Sequence, residues 1–248
     1  MINFKRDSDN LIVAGNGPSL KNIDLNSLPS NFDVFRCNQF YAEKQYYIGK
    51  NIKLVMFNPQ FIYSQLKTIQ EISKNQEYEI EYICLNYVNK GWDENFDLNE
   101  LLNHHPYIYT LKDLLNYKYL KELSLYNYYD NLRPTSGILL MLLGKSLGYK
   151  NIYYIGMDFL EGNNLEQIDF NKTSNINKMI YKNNNFENMH DKLIDEYFLN
   201  LTQAKKLGRV HDQINFINKA NNSIIDIVEY NQTNLKPKIK KKFLGIKF

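Results

Sequence analysis

Short apolar runs alternate along this chain with longer stretches of helical spacing. Leu11-Ile12-Val13-Ala14, closed by Gly15, reads as a buried strand entering a turn. Val34-Phe35-Arg36-Cys37, Leu54-Val55-Met56-Phe57 and Ile80 to Leu85 repeat the pattern, and Ile152-Tyr153-Tyr154-Ile155-Gly156 resumes it later. Phe61 to Ser73 and Gly137 to Leu147 carry helical spacing between them. Strands alternating with helices predict an α/β fold, a mostly parallel sheet flanked by helices on both faces. Ligands of such sheets bind beyond the carboxyl ends of the strands. From Leu160 to Asn188 hydrophobicity falls away, as in a lid over those strand ends, and Met189 to Lys206 restores a helical pattern. No internal repeat is evident.

Composition narrows the class. The 248 residues suffice for one domain with a sizeable core, and 44% hydrophobic with 23% charged residues is ordinary for a globular protein. The 20 tyrosines join apolar bodies to hydroxyls suited to sugars and bases, although core packing accounts for most of them. Cys37 and Cys84 lie in apolar strand-like runs without CxxC spacing, which argues against a zinc site or disulfide framework and fits a reducing compartment. The stretch Met1 to Asn10 has no apolar segment, so no secretory signal is expected, and no apolar run approaches the roughly 20 residues of a membrane span. The net charge is +3, concentrated at the end: six lysines between Lys236 and Lys247 interleave with Ile239, Phe243, Leu244, Ile246 and Phe248. Such a tail predicts attachment to an anionic membrane surface, the alternative being a solubilising extension. Four arginines and no basic stripe within the body speak against nucleic acid.

The unusual residues gather at strand ends. Asn16, Asn38 and Asn58 follow the first three strands, and a carboxamide offers donor and acceptor without charge. Gly15-Asn16-Gly17-Pro18-Ser19 permits close backbone approach to a ligand, but it is neither a P-loop nor GxGxxG. It reads equally as a tight turn. In Arg133-Pro134-Thr135-Ser136-Gly137, Thr135 or Ser136 is expected to cap the following apolar helix, whose amides with Arg133 form a ready anion site. Gly156-Met157-Asp158 closes a later strand, where Asp158 either accepts from a base amino group or holds a turn. His104 and His105 are expected in a loop before Pro106, and His190 opens the helical run after the lid, placed for a general base. No His/Cys cluster suggests a metal. Asp7-Ser8-Asp9 has the form of a metal-binding acidic triplet, but it precedes the first strand.

Taken in order, Asn16 to Leu20, Asp33-Val34-Phe35-Arg36-Cys37-Asn38-Gln39-Phe40-Tyr41, Phe57-Asn58-Pro59, Arg133 to Gly137, Gly148 to Tyr153 and Gly156-Met157-Asp158-Phe159 resemble the bacterial sialyltransferases of glycosyltransferase family 42, which sialylate lipooligosaccharide. The likeness is close from about residue 11 to 160 and weak to about 230. It implies a Rossmann-like GT-A variant with a small lid, CMP-sialic acid as donor, a galactose- or sialic-acid-terminated glycan as acceptor, inversion at the anomeric carbon, and neither metal nor cofactor. By matching position, Asn16, Gly17, Asn38, Asn58, Thr135 and Ser136 would face the donor. Gly156, Met157 and Asp158 would hold the cytidine, Arg133 would stand at the acceptor side, and His190 would be the base.

Two segments depart from that pattern. The family's lid tyrosines, which bond the departing phosphate, are replaced by Leu160 and by Leu165-Glu166, so that either Tyr181 or lid backbone groups substitute, or the donor is handled differently. The Cys-Pro-Asn-Ser segment is absent, with only Asn221-Asn222-Ser223 nearby. The resulting organisation is a nucleotide-sugar domain over 1–159 and 189–234, a lid over 160–188 and a basic tail over 235–248. The expected location is cytoplasmic, peripheral at the inner membrane, with homo-oligomerisation left open. Two rivals stand beside this reading: a transferase for another CMP-linked acidic sugar of the Kdo or legionaminic-acid type, and a non-catalytic nucleotide-binding paralogue.

Overall fold

A computed structural model describes residues 4–88, 96–158 and 191–207. Among the described residues seven strands form one sheet: β1 (Asn10–Ala14), β2 (Asp33–Cys37), β3 (Asn51–Phe57), β4 (Glu79–Leu85), β5 (Ile108–Thr110), β6 (Asn151–Ile155) and β7 (Lys205–Lys206). Every pairing is parallel, in the order β5-β4-β3-β2-β1-β6-β7. The helices are α1 (Ile62–Lys74), α2 (Leu98–His104), α3 (Leu111–Leu114), α4 (Tyr117–Asp130), α5 (Ser136–Ser146) and α6 (Lys192–Thr202).

Strands covered on both faces read as near-continuous apolar runs rather than alternations, as Leu11 to Ala14 of β1 do; β2 is buried at all five positions as well, although two of them are Asp33 and Arg36. Leu11, Val13, Phe35 and Tyr154 turn to one face, under α5 and α6. Ile12, Ala14, Val34 and Ile155 turn to the other, in the same cluster as Ile62, Ile69 and Ile72 of α1 and Leu101 of α2. The α5 helix is apolar all round because it is buried all round, from Gly137 through Gly144. Cys37 and Cys84 are free thiols inside this core, and burial pushes Cys37 up to about 11.

Two expectations need correction. The helical pattern expected up to Lys206 stops at Thr202, where Gln203 takes a left-handed conformation and the chain enters β7 instead. His104 is the last residue of α2 and His105 its cap, rather than loop residues. The 160–188 segment, the 235–248 tail, His190, Tyr181 and His211 lie outside the described residues.

The strand order turns back on itself at β1, which has β2 on one side and β6 on the other. At such a switch point the loops leaving the two strands diverge to opposite faces and open a crevice at their carboxyl ends.

Candidate functional site

The loops leaving β1 and β6 are bonded to each other. Gly15 N donates to Ile155 O and Gly17 N to Gly156 O, both at 2.9 Å, which carries the parallel ladder past the strand ends. Only glycine fits at three of these positions, Gly15 included, where a Cβ would fall on Gly156 O. A Cβ on Gly17 would fall on the Asp158 carboxylate and stand 2.7 Å from Gly156 O. Gly156 has φ of 68°, and a Cβ there would lie 2.8 Å from Gly15 O. Asp158 then docks the loop: its Oδ2 accepts from Ser19 N at 2.9 Å, at the start of the 3-10 turn Pro18–Asn22. Of the two readings of Asp158, that bond establishes the turn-holding one for Oδ2. Met157 packs beneath the first turn of α5, where the missing side chain of Gly137 makes room.

Asn38 ties the second strand end to the same place. It takes φ of 51°, donates from its backbone to Met56 O at 3.0 Å and from Nδ2 to Ser136 Oγ at 3.4 Å. Asn16 Nδ2 donates to Cys37 O at 3.0 Å, and its Oδ1 lies 3.5 Å from Arg36 Nη2. Asn16, Gly17, Asn38, Thr135, Ser136, Gly156, Met157 and Asp158 are therefore brought together by these bonds and contacts. Asn58 stands at the end of the adjacent β3, its Oδ1 taken by Asn86 Nδ2 at 2.9 Å. Arg133, two residues before the N-cap of α5, donates from Nε to Asn127 Oδ1 at 2.9 Å.

Thr135 occupies the N-cap of α5, but its side chain makes no capping bond, contrary to expectation. Its backbone N–H instead donates to Asp195 Oδ1 of α6 at 2.7 Å, and its side chain also bonds that carboxyl. Asp195 is buried, and burial raises it to about 7 against the opposing pull of the Thr135 bonds. The folded state therefore binds a proton that the unfolded chain, with the ordinary value of 3.8, has already lost. Stability contributed by this group is full below about pH 4 and is lost as pH rises through about 7. Asp195→Asn is expected to abolish that decline. Its stability in urea, less that of the wild type, should grow by up to about 1.4 kcal/mol per pH unit across the window and level off above it. A difference independent of pH would show that Asp195 titrates as an ordinary carboxylate.

The sequence reading missed three groups. Asn86 follows β4 just as Asn16, Asn38 and Asn58 follow β1 to β3, so its signal was present. Asp195 shares the buried face of an amphipathic helix with Ile194, Phe198 and Leu199. Arg36 lies inside an apolar run, where a buried charge requires a partner. That partner is Glu43, at 3.0 Å, which also accepts from Tyr78 OH at 2.8 Å. Asp7 and Asp9 are bonded to Lys53 and Lys150 at the amino-terminal edge of the sheet, opposite the crevice. Among the described residues no three His, Cys, Asp or Glu side chains converge.

Comparison with known proteins gives this geometry a family. No curated protein matches the chain. Among solved structures, the monofunctional alpha-2,3-sialyltransferase Cst-I from Campylobacter jejuni matches with a TM-score of 0.73 at 34% identity, over 83% of this chain and 78% of that one. The sialyltransferase CstII of the same organism, in complex with cytidine-5'-monophosphate, matches with a TM-score of 0.68 at 32% identity, over 81% and 80%. CST-II in complex with a trisaccharide acceptor and CMP gives 0.66 at 34% identity, over 80% of each chain. The model of the alpha-2,3-sialyltransferase (CST-I) family covers residues 9–242, and with that match the chain belongs to this family of sialyltransferases.

Proposed function

We propose that this sialyltransferase moves sialic acid from CMP-sialic acid to a terminal sugar hydroxyl of a lipooligosaccharide or related glycan, inverting the anomeric carbon without a metal ion. The observation that carries the reading is the convergence of the β1 and β6 loops, Asn38 and the uncapped start of α5 at the switch point of the sheet. Relatives of this fold hold CMP and a trisaccharide. A crevice lined by backbone amides and carboxamides suits an anionic sugar nucleotide, and the fold is then a Rossmann-like GT-A variant.

In the reaction, an acceptor hydroxyl oxygen attacks the anomeric carbon from the face opposite CMP. The bond from that carbon to the phosphate oxygen breaks, and CMP leaves with the electron pair. His190 takes the hydroxyl proton. Charge grows on a single phosphate, which the amides at the uncapped N-terminus of α5 and the hydroxyl of Ser136 stabilise in place of a divalent ion. Asp7 and Asp9, engaged with lysines at the far edge, leave the acidic triplet no part in this chemistry. The basic tail would hold the enzyme at the inner membrane surface, beside a lipid-linked acceptor.

The test is CMP release from several CMP-sugars, with and without a galactoside acceptor, in excess EDTA. Acceptor-stimulated release from CMP-sialic acid that survives chelation is expected. Preference for CMP-Kdo or CMP-legionaminic acid would change the donor. Binding of CMP-sugars without release would favour the non-catalytic rival, and activity restored only by magnesium or manganese would end the metal-free reading.

A further inference from the structure

Asn86 completes a row. In the sheet order β4-β3-β2-β1, each of four adjacent strands is followed directly, or within two residues, by an asparagine: Asn86, Asn58, Asn38 and Asn16. Asn86 differs from the others in being buried, at 7% exposure. Its backbone N–H donates to Phe57 O at 2.7 Å, one step past the β3–β4 ladder, and its Nδ2 donates to Asn58 Oδ1 at 2.9 Å. Asn58 is the N-cap of the 3-10 turn Pro59–Phe61 yet makes no capping bond with its side chain. The Asn86 Oδ1 atom is buried with no hydrogen-bond partner among the described residues.

A carboxamide has two ends, and whichever end its neighbour occupies decides what the other presents. Because Asn86 supplies an N–H to the Asn58 oxygen, the Asn58 amino group is the end left to face outward. CMP-sialic acid is an anion whose phosphate and carboxylate present acceptors, so a donor is the complementary end. We propose that Asn86 is a positioning residue that fixes the Asn58 carboxamide with its amino group turned to the sugar-nucleotide donor. This rests on the reading of Asn58 as a donor contact. Asn86 itself is too enclosed to reach the ligand, and it acts through Asn58.

Asn86→Leu keeps the γ-branched shape, removes the N–H, and also removes the unpartnered buried oxygen. The variant should therefore melt at or above the wild-type temperature while kcat/KM for CMP-sialic acid falls by about tenfold, the worth of one well-placed hydrogen bond. Asn58→Ala should lower kcat/KM as well. The combined Asn58→Ala/Asn86→Leu enzyme should be no worse than Asn58→Ala alone, because nothing is left to position. Equal losses from Asn86→Leu in both backgrounds, or no loss in the wild-type background, would overturn the proposal while Asn58 keeps its role. A silent Asn58→Ala would instead remove the donor-contact reading, and the positioning role with it. Asn86→Ala, read through the same cycle, serves if the leucine variant does not fold.

Discussion

Glu43→Ala is expected to destabilise the protein by about 3–5 kcal/mol, the usual result of removing one partner from a buried ion pair. Arg36 is completely buried in β2, with Nη2 3.0 Å from Glu43 Oε2 and its guanidinium stacked over Phe40 at 5.4 Å. Without Glu43 the guanidinium charge stays in the core and Tyr78 OH loses its acceptor. In a chain of this size the loss corresponds to a melting temperature lower by roughly 6–20 °C. The pair need not be a net source of stability, since burying two charges costs about as much as their attraction returns. Arg36→Met/Glu43→Leu should accordingly be less harmful than Glu43→Ala alone. Urea denaturation of the three variants decides the matter. A shift below about 1 kcal/mol for Glu43→Ala would mean that water reaches the guanidinium. Donor binding should suffer too, because Arg36 also lies against the Asn16 carboxamide.

His190→Ala is expected to lower turnover by about 10²–10⁴-fold and to leave CMP binding intact, the signature of a lost general base. In barrier terms that is roughly 2.7–5.5 kcal/mol. The residue stands directly before Asp191, the N-cap of α6, whose Oδ1 accepts from Leu193 N at 2.7 Å. The same helix brings Asp195 to Thr135, so the chain leaving His190 is tied to the Ser136 end of α5. Steady-state turnover and CMP titration of the variant give the answer. Near-wild-type turnover for His190→Ala together with an inactive His211→Ala would move the base to His211.

Most of the sheet was legible because β1, β2, β3 and β6 are buried on both faces, which prints each of them as a short apolar run followed by glycine or asparagine, whereas β5 (Ile-Tyr-Thr) and β7 (Lys-Lys) carry no such run. Those endings also marked the crevice, as Gly17, Asn38 and Gly156 show. What escaped notice depends on partners far apart in sequence. Asp195 looks like any carboxylate on an amphipathic helix until α6 is laid against α5. The uncapped state of α5 was hidden for the same reason, since Thr135 has the residue type of a cap and its bonds go elsewhere. Asn86 was the exception. It repeats a pattern already noted at three other strands, in a chain where asparagine is common enough to mask it.

The place of β1 has a consequence for how the protein is made. Leu11 pairs with Asp33 on one side and with Ile152 on the other, so this interior strand gains its second neighbour only after about 150 residues have been synthesised. Parallel pairings of such long sequence separation form slowly, because loop closure must precede the contacts that reward it. During translation β1 to β4 can assemble on the emerging chain while one edge of β1 stays open, a strand whose Leu11 to Ala14 are fully buried once β6 arrives. A nascent chain halted before β6 is thus a template for association with other chains, and the yield of this enzyme should depend on chaperone supply more than its finished stability suggests.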